Sequence, residues 1–516
     1  MSEQHRPDAR RQSYVIVQAG GRGSRLRHHT WNKPKCLVPI RGKPLLYHAF
    51  DRFPDHRFIV IGDYQFDKLK VYLETNRPPV DYELVQADGP GTLGGVGEAL
   101  ARIPPDCSVV LLWSDLILEA LPEWPATDQL VVCTTSAFTC RWSVADDGRL
   151  SETPSDKAGV PGVFFLPRAD VLSSVPPQGE FVRWLSERGG DFTPLRVDAI
   201  EELGEFASIE IANEAAGFSR FFNRVEVGEA VVTKAVIDDR FTDLQDREIA
   251  WYQAANELGY RSIPKVLSTA PLTLTRIRGQ HPFQMEDLTR RERRAIIANI
   301  VDTLGRLHDL GAQAFDADAI QKVYVSKTLD RVNGVRNLIP GFDSRNIVVN
   351  GRKCLNPFAG DAADAFRSIL ARFEPTPFTP IHGDPTFSNT LIDDNLRPWL
   401  IDPRGYFSEA GIYGDPWYDF AKLYYSAIGG YDAFNRRKFK LHIDGGNVEI
   451  LMEDSRFAEA AEDVFHDVFG QETARIRFLH AMIWFSLSGY TVDDIDSVIA
   501  SFYLGVYWCN TFTDAL

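Results

Sequence analysis

The chain has 516 residues, 44% hydrophobic, 12% aromatic and 25% charged; that length predicts two or three structural units, and the composition excludes a mainly disordered chain. Its 56 Lys and Arg against 71 Asp and Glu leave a formal net charge of −15. This excludes a general attraction to nucleic acid or anionic membrane, so an anionic ligand has to be met by local positive charge.

The opening segment, MSEQHRPDARRQS, is polar and lacks an apolar signal-peptide core, and residues 1–12 read as a disordered tail. From Ser13, short apolar runs alternate with helical stretches. SYVIVQAGG reads as a strand ending in glycines, PLLYHAFDRF as a helix, RFIVIGDY as a strand, FDKLKVYLETN as a helix, and DYELVQA as a strand. SVVLLWSDLIL is a further strand that ends on Asp115. Such alternation predicts a parallel α/β sheet with ligands at the carboxyl ends of its strands, where the first glycine loop and Asp115 both fall. IEIANEAAG closes this part as a helix.

A different pattern starts near Phe218. FFNRVEVGEAVVTKAVI alternates like antiparallel strands, DLQDREIAWYQAANELG reads as an amphipathic helix, and from about Arg290 the character is mostly helical. ERRAIIANIVDTLGRLHDLG sets Ile296, Ile300, Leu304 and Leu307 on one face; RIRFLHAMIWFSLSGY and DDIDSVIASFYLGVYW continue the helical pattern. The basic run RRERR at 290–294 reads as a solvated helix start. Cys36, Cys107, Cys133, Cys140, Cys354 and Cys509 form no CxxC pair, which predicts reduced thiols, a cytoplasmic setting and neither zinc nor disulfides. No run of about 18 uninterrupted apolar residues appears, so membrane insertion is not expected.

Two constellations carry chemistry. In the first, QAGGRGSRLRHHTWNKPKCLVPIRGKPLL, the residues Gly20, Gly21 and Gly23 clear space for a nucleotide and turn backbone N–H groups toward phosphates. Arg25 and Lys35 add fixed positive charge. GGRGSRL followed by KPKCLVPIRGKPLL resembles the signature of the nucleotidyltransferases that make nucleotide-activated sugars and cytidylylated alcohols such as phosphocholine. The resemblance covers residues 13–217. It implies that a substrate phosphate attacks the α-phosphorus of an NTP, with Mg²⁺ holding the phosphates and pyrophosphate leaving. Arg25 and Lys35 would then be catalytic, with Gln86, Gly91 and Thr92 holding the base. Asp115 would bind the metal and Lys157, in SDKAG, would meet the substrate phosphate. Aligning SIEIANEA with the closing strand selects Glu210 as second metal carboxylate; aligning EELGEF selects Glu202, and Glu210 is preferred.

The second constellation is IHGDPTFSNTLIDDNLRPWLIDPRG, with Asp384 five residues before Asn389 and Asp402 thirteen beyond that. Phosphoryl transfer to an alcohol needs a carboxylate for the hydroxyl proton and oxygen ligands for Mg²⁺ on ATP, and this string supplies both. It resembles the aminoglycoside phosphotransferase and choline kinase family, over residues 218–516. On that resemblance Asp384 is the base and Asn389 and Asp402 hold metal, while Lys234 reaches the ATP phosphates with Glu248 as helix partner. His382, Asp415 and Asp419 would support the catalytic loop. There is no GxGxxG over the phosphates and no Walker A motif, so the loop around Arg224–Glu229 has to work with fewer glycines. The aromatics Trp417, Tyr418, Tyr424 and Tyr425 offer either core packing or a cage for a quaternary ammonium.

The expectation is therefore an α/β chain. It pairs an N-terminal, mostly parallel, Rossmann-like nucleotidyltransferase domain with a C-terminal two-lobed, protein-kinase-like α+β domain. It would phosphorylate a sugar with ATP, then couple the phosphate to an NMP from UTP, CTP or GTP, giving an activated building block for surface glycans. An alcohol kinase with a cytidylyltransferase is the alternative, as is one inactive, regulatory half.

Overall fold

β-Branched and large apolar residues dominate Tyr14–Gln18, and burial on both faces explains why this strand reads as a continuous apolar run. A computed structural model describes residues 13–87, 89–215, 223–236 and 242–513; the expected tail at 1–12 and the junction at Gly217 lie outside the described residues. The chain divides into two units, Met1–Gly217 with Asp493–Ile495, and Phe218–Val492 with Asp496–Leu516.

Besides four two-residue strands, the first unit has β1 (Tyr14–Gln18), β2 (Arg57–Gly62), β3 (Tyr82–Gln86), β4 (Val109–Trp113), β5 (Leu116–Leu118), β6 (Leu130–Thr134), β7 (Val163–Leu166), β8 (Phe192–Arg196) and β9 (Ile200–Glu202) among the described residues. Seven of them form one sheet in the order β8-β6-β7-β4-β1-β2-β3. β1 runs parallel to β2 and β4, with Tyr14 opposite Arg57 and Val109. Only β7 runs against its neighbours in this sheet. Helices Leu45–Arg52 (α1), Phe66–Thr75 (α2), Val96–Ala101 (α3) and Phe181–Arg188 (α4) lie between the strands in sequence. Ile16, Ile59, Leu111, Val132, Phe164 and Phe181 share one core.

A second, smaller core joins Leu26, Val38, Ile40 and Leu45 to Ile117, Leu203 and Ile209. It packs the segment around the signature onto the short β5–β9 ribbon, where Glu202 pairs with Leu116, and onto helix Phe206–Ala215 (α5). Asp494, one of the three late residues belonging to this unit, accepts a 2.8 Å hydrogen bond from Lys33, and the two side chains are only 2% and 5% exposed. Removing one partner of such a buried pair strands the other charge. Asp494→Ala is therefore expected to destabilise the first unit by about 3–5 kcal/mol, seen as a lower melting temperature of its unfolding transition.

In the second unit, β10 (Asn223–Val227), β11 (Val231–Val236), β12 (Val266–Thr269) and β13 (Leu272–Thr275) form an antiparallel sheet in the order β10-β11-β13-β12, followed in sequence after β11 by helix Thr242–Glu257 (α6). The helix Arg290–His308 (α7) starts on a capping box, in which Thr289 accepts from the Glu292 N–H and Glu292 accepts from the Thr289 N–H. Arg290 and Arg294 of the basic run pair with Asp463 and Asp467 at 2.8 and 2.6 Å on the exposed surface, as a solvated helix start requires. Further helices are Lys327–Val335 (α8), Pro416–Ala427 (α9) and Thr473–Ser488 (α10).

The mostly helical expectation after Arg290 needs one correction. A four-stranded sheet orders the strands Arg352–Leu355, Asn346–Val349, Asn447–Met452 and Phe439–Asp444. FKLHIDGGNVEILM alternates apolar and polar residues around a glycine turn, so the ribbon is driven by period-two patterning inside a helix-rich region. All six cysteines are buried, and none is in a disulfide. No helix among the described residues is long and apolar enough to cross a membrane.

Candidate active sites

In the first unit, the loop after β1 turns at Gly23, whose φ of 62° favours glycine. A Cβ there would lie 3.0 Å from Lys35 Cβ, and one on Gly20 would lie 2.8 Å from Asp63, whereas Gly21 borders open space. The backbone therefore runs close over Lys35. The Lys35 ammonium donates to Asp115 Oδ2 at 2.5 Å, with side chains 10% and 17% exposed. The Arg25 guanidinium, largely solvent-facing, lies 3.3 Å from Glu205 and 4.0 Å from Glu202.

The preferred second carboxylate, Glu210, pairs with His29, whereas the charge of Asp115 is felt by Glu202. Glu210 lies on α5, a helix rather than a closing strand; Ile209 and Ala212 turn into the small core, and Glu210 points outward to His29 at 3.2 Å. Glu202 ends β9, directly across from the residue that follows Asp115, and the Leu203 N–H donates to the Asp115 carbonyl at 2.9 Å. Burial, then the charge of Asp115, push the Glu202 carboxyl up, while Lys35 and Arg25 oppose the shift. The negative charge of Asp115 makes ionisation of Glu202 costlier, and a carboxylate so placed beside another is suited to a hard cation. Among the described residues no cluster of three or more His, Cys, Asp or Glu side chains placed to hold a metal ion is present.

Gln86 ends β3 with an exposed side chain. The Thr92 hydroxyl accepts from the Phe181 N–H at 2.8 Å and so holds the start of α4. A residue outside the sequence reading, Gln18, fixes this segment: its amide donates to the carbonyls of Thr92 and Gly94 at 2.6 and 3.0 Å. The available signal was its position, a polar residue closing an otherwise apolar strand just before the glycines. Lys157 is exposed in a loop, and no hydrogen bond or ion pair among the described residues joins it to Lys35, Asp115 or Glu202.

In the second unit, Lys234 on β11 is 8% exposed and donates to Glu248 on α6 at 2.7 Å and to Asp402. Burial alone would lower its pKa, but the carboxylates of Asp402 and Glu248 hold it above the ordinary lysine value. Asp402 adopts φ 56°, a strained conformation for a non-glycine residue of the kind that persists where surroundings impose it. The Asn389 amide donates to the Asp384 carbonyl and carboxylate at 2.9 and 3.1 Å, which leaves its own oxygen available. Lys422 lies 2.9 Å from Asp384.

The loop carrying Asp384 hangs from Asp419, which is fully buried and accepts from the backbone N–H groups of His382 and Gly383 at 2.8 and 2.7 Å and pairs with His308 at 3.1 Å. His382 donates from Nε2 to the Ile401 carbonyl at 3.0 Å and accepts at Nδ1 from the Asp384 N–H at 3.3 Å. Burial, the main influence, lowers its pKa, consistent with a neutral supporting role. Asp415 caps α9 and accepts from the Tyr324 hydroxyl at 2.7 Å. The aromatic cage contains a cation of the chain itself: the Lys422 ammonium sits 5.3 Å from the Tyr425 ring and 6.0 Å from those of Tyr418 and Tyr431.

Comparison with known proteins gives two family matches. Residues 15–132 match the MobA-like NTP transferase domain, and residues 208–442 match the phosphotransferase enzyme family. Among curated relatives, the bifunctional protein GlmU of Methanocaldococcus jannaschii is 32% identical over 20% of this chain and 25% of its own length. UTP–glucose-1-phosphate uridylyltransferase AglF of Haloferax volcanii is 42% identical over 10% of this chain and 22% of its own. The chain thus spans a quarter or less of these relatives' lengths. A crystal structure of HddC from Yersinia pseudotuberculosis complexed with GMP-PN aligns at 19% identity over 40% of this chain and 99% of that one, with a TM-score of 0.34, too low to carry a structural argument.

Proposed function

Because the chain joins a MobA-like NTP transferase domain to a phosphotransferase-family domain, we propose that it catalyses two consecutive steps on one metabolite. The second unit phosphorylates a hydroxyl with ATP, and the first condenses the new phosphate with an NTP. The observation that carries this reading is that each unit holds its own set of reactive groups, Lys35 with Asp115 and Glu202 in one, and Asp384, Asn389 and Asp402 beside Lys234 in the other.

In the first step the acceptor oxygen bonds to the γ-phosphorus of ATP, the bond to the β-phosphate oxygen breaks, and ADP leaves. Asp384 takes the hydroxyl proton, held in place by Asn389 and the Asp419-anchored loop. Lys234, oriented by Glu248, meets the ATP phosphates. In the second step an oxygen of the new phosphate bonds to the α-phosphorus of the NTP, and pyrophosphate leaves with the broken α–β bond. Lys35 and Arg25 offset charge on the triphosphate. Bound Mg²⁺ supplies further charge neutralisation and alignment in both steps, on Asp115 and Glu202 in one unit and on Asn389 and Asp402 in the other. Gly20, Gly21, Gly91, Gln86 and Thr92 border the nucleotide, and Lys157 is assigned to the substrate phosphate.

The substrate is assigned as a sugar, because one relative of the first unit is named a UTP–glucose-1-phosphate uridylyltransferase; a nucleotide-activated sugar suits glycan synthesis in the cytoplasm. Purified protein incubated with ATP, with UTP, CTP or GTP in turn, and with a panel of sugars and amino alcohols is expected to yield one NDP-linked mass. A phosphorylated acceptor that no NTP converts further would refute the coupled reading.

A further inference from the structure

Next to Asp384, Lys422 and Arg404 belong to a group of cations with almost no carboxylate to balance it. Lys327 and Arg331 are one turn apart on α8, Arg404 follows Asp402 in the chain, and Lys422 comes from α9. The Arg404 N–H donates to the His382 carbonyl at 3.0 Å, and its Cβ lies where a side chain on Gly383 would meet it, so this arginine runs alongside the catalytic loop. Its guanidinium donates to the hydroxyls of Tyr418 and Tyr406 at 2.5 and 2.9 Å. The Tyr406 ring has Arg404 at 4.1 Å, Arg247 at 5.3 Å and Lys327 at 5.4 Å. Arg331 donates to the Ser486 hydroxyl at 2.9 Å and lies 5.6 Å from the Tyr490 ring.

None of Lys327, Arg331 and Arg404 forms an ion pair with a carboxylate among the described residues; Arg404 feels the charge of Asp384, and Lys422 already contacts it. All four cations are partly exposed. Burial, then the charges of Arg404, Arg331 and Lys422, push Lys327 down to about 6, so it gives up its charge in the empty site near neutral pH and would regain it beside a bound anion. Gathering like charges in a half-buried place opposes folding, and such an arrangement is characteristic of sites where a ligand supplies the missing charge. Resting on the two-step reading above, we propose that the alcohol phosphorylated by the second unit carries an anionic group, a carboxylate or a phosphate, bound by Lys327, Arg331 and Arg404 while its hydroxyl faces Asp384. A cationic acceptor is disfavoured twice, by repulsion from this group and because Lys422 fills the ammonium position among Tyr418, Tyr425 and Tyr431.

The test uses full-length protein with Mg·ADP and matched probes: glucose, glucuronate, glucose 6-phosphate and ethanolamine, followed by calorimetry and thermal shift. The two anions are expected to bind about tenfold or more tightly than glucose, as charge-assisted contacts dictate; their ranking separates carboxylate from phosphate. The double variant Lys327→Met, Arg331→Met is expected to lose that preference, keep its Mg·ADP affinity, and melt at a higher temperature when unliganded, because repulsion has been removed. Lys327→Arg should retain the preference. Equal binding of glucose or ethanolamine, no binding of any anion, or retained anion affinity in the double variant overturns the proposal, and a lost Mg·ADP affinity reassigns the cations to the nucleotide. ADP release is read in parallel. Anion binding without phosphoryl transfer to any probe, on a wider acceptor panel too, counts against the kinase reading and leaves the anion site standing.

Discussion

Asp384→Ala is expected to cut ATP-dependent phosphorylation of the acceptor by about 10³- to 10⁴-fold while the full-length protein still condenses a pre-formed sugar phosphate with its NTP. The size of the loss follows from what the side chain does. Asn389 holds it at 3.1 Å, and backbone bonds to Asp419 fix the loop that carries it, so the carboxylate arrives at the hydroxyl already oriented. Asp384→Asn keeps the shape and most hydrogen bonds but cannot accept the proton, and should be nearly as inactive. Rates of ADP release and of pyrophosphate release, measured separately on the same preparation, check this. A variant that phosphorylates normally would remove Asp384 from the chemistry; one that loses both half-reactions would point to misfolding instead.

Glu202→Gln is expected to lower nucleotidyl transfer by about 10²- to 10³-fold, whereas Glu210→Gln should stay within about twofold of the unmodified protein. Glu202 lies across the β5–β9 ribbon from the residue that follows Asp115, and it feels the charges of Asp115, Lys35 and Arg25. Glu210 makes a partly exposed contact with His29, of a kind worth about 0–1 kcal/mol. Pyrophosphate release over a range of Mg²⁺ concentrations distinguishes the two, because loss of a metal ligand raises the Mg²⁺ requirement as well as lowering the rate. The reverse pattern would hand the second carboxylate to α5.

The choice between those two glutamates also marks the limit of a linear reading. SIEIANEA has enough β-branched residues to pass for a strand, and IEIANEAAG was at the same time legible as a helix. What settles it is that Ile209 and Ala212, three residues apart, complete the small core beneath the signature, and only a helix puts both on one side. EELGEF, with few apolar residues, instead supplies the last strand because Ile200 and Leu203 anchor it over Asp115. Similarly, Tyr418 and Tyr425 read equally well as core or as a cage, and nothing in the string shows that Lys422, also on α9, would project its ammonium between them.

The sequence by itself determined the elements whose physics is local: the apolar strands of the main sheet, the signature glycines, the spacing of Asp384 and Asn389, and the helix start at the basic run. Each depends on periodicity or on contacts a few residues apart. Only the tertiary structure decided which carboxylate feels the charge of Asp115 and that Gln18 pins the GTLGG segment. It also gathers Lys327, Arg331, Arg404 and Lys422 into one group, of which Arg404 and Lys422 neighbour Asp384. These are encounters between residues up to about a hundred positions apart. Such encounters are set by which apolar faces are buried together, a property of the packed core that no short segment contains.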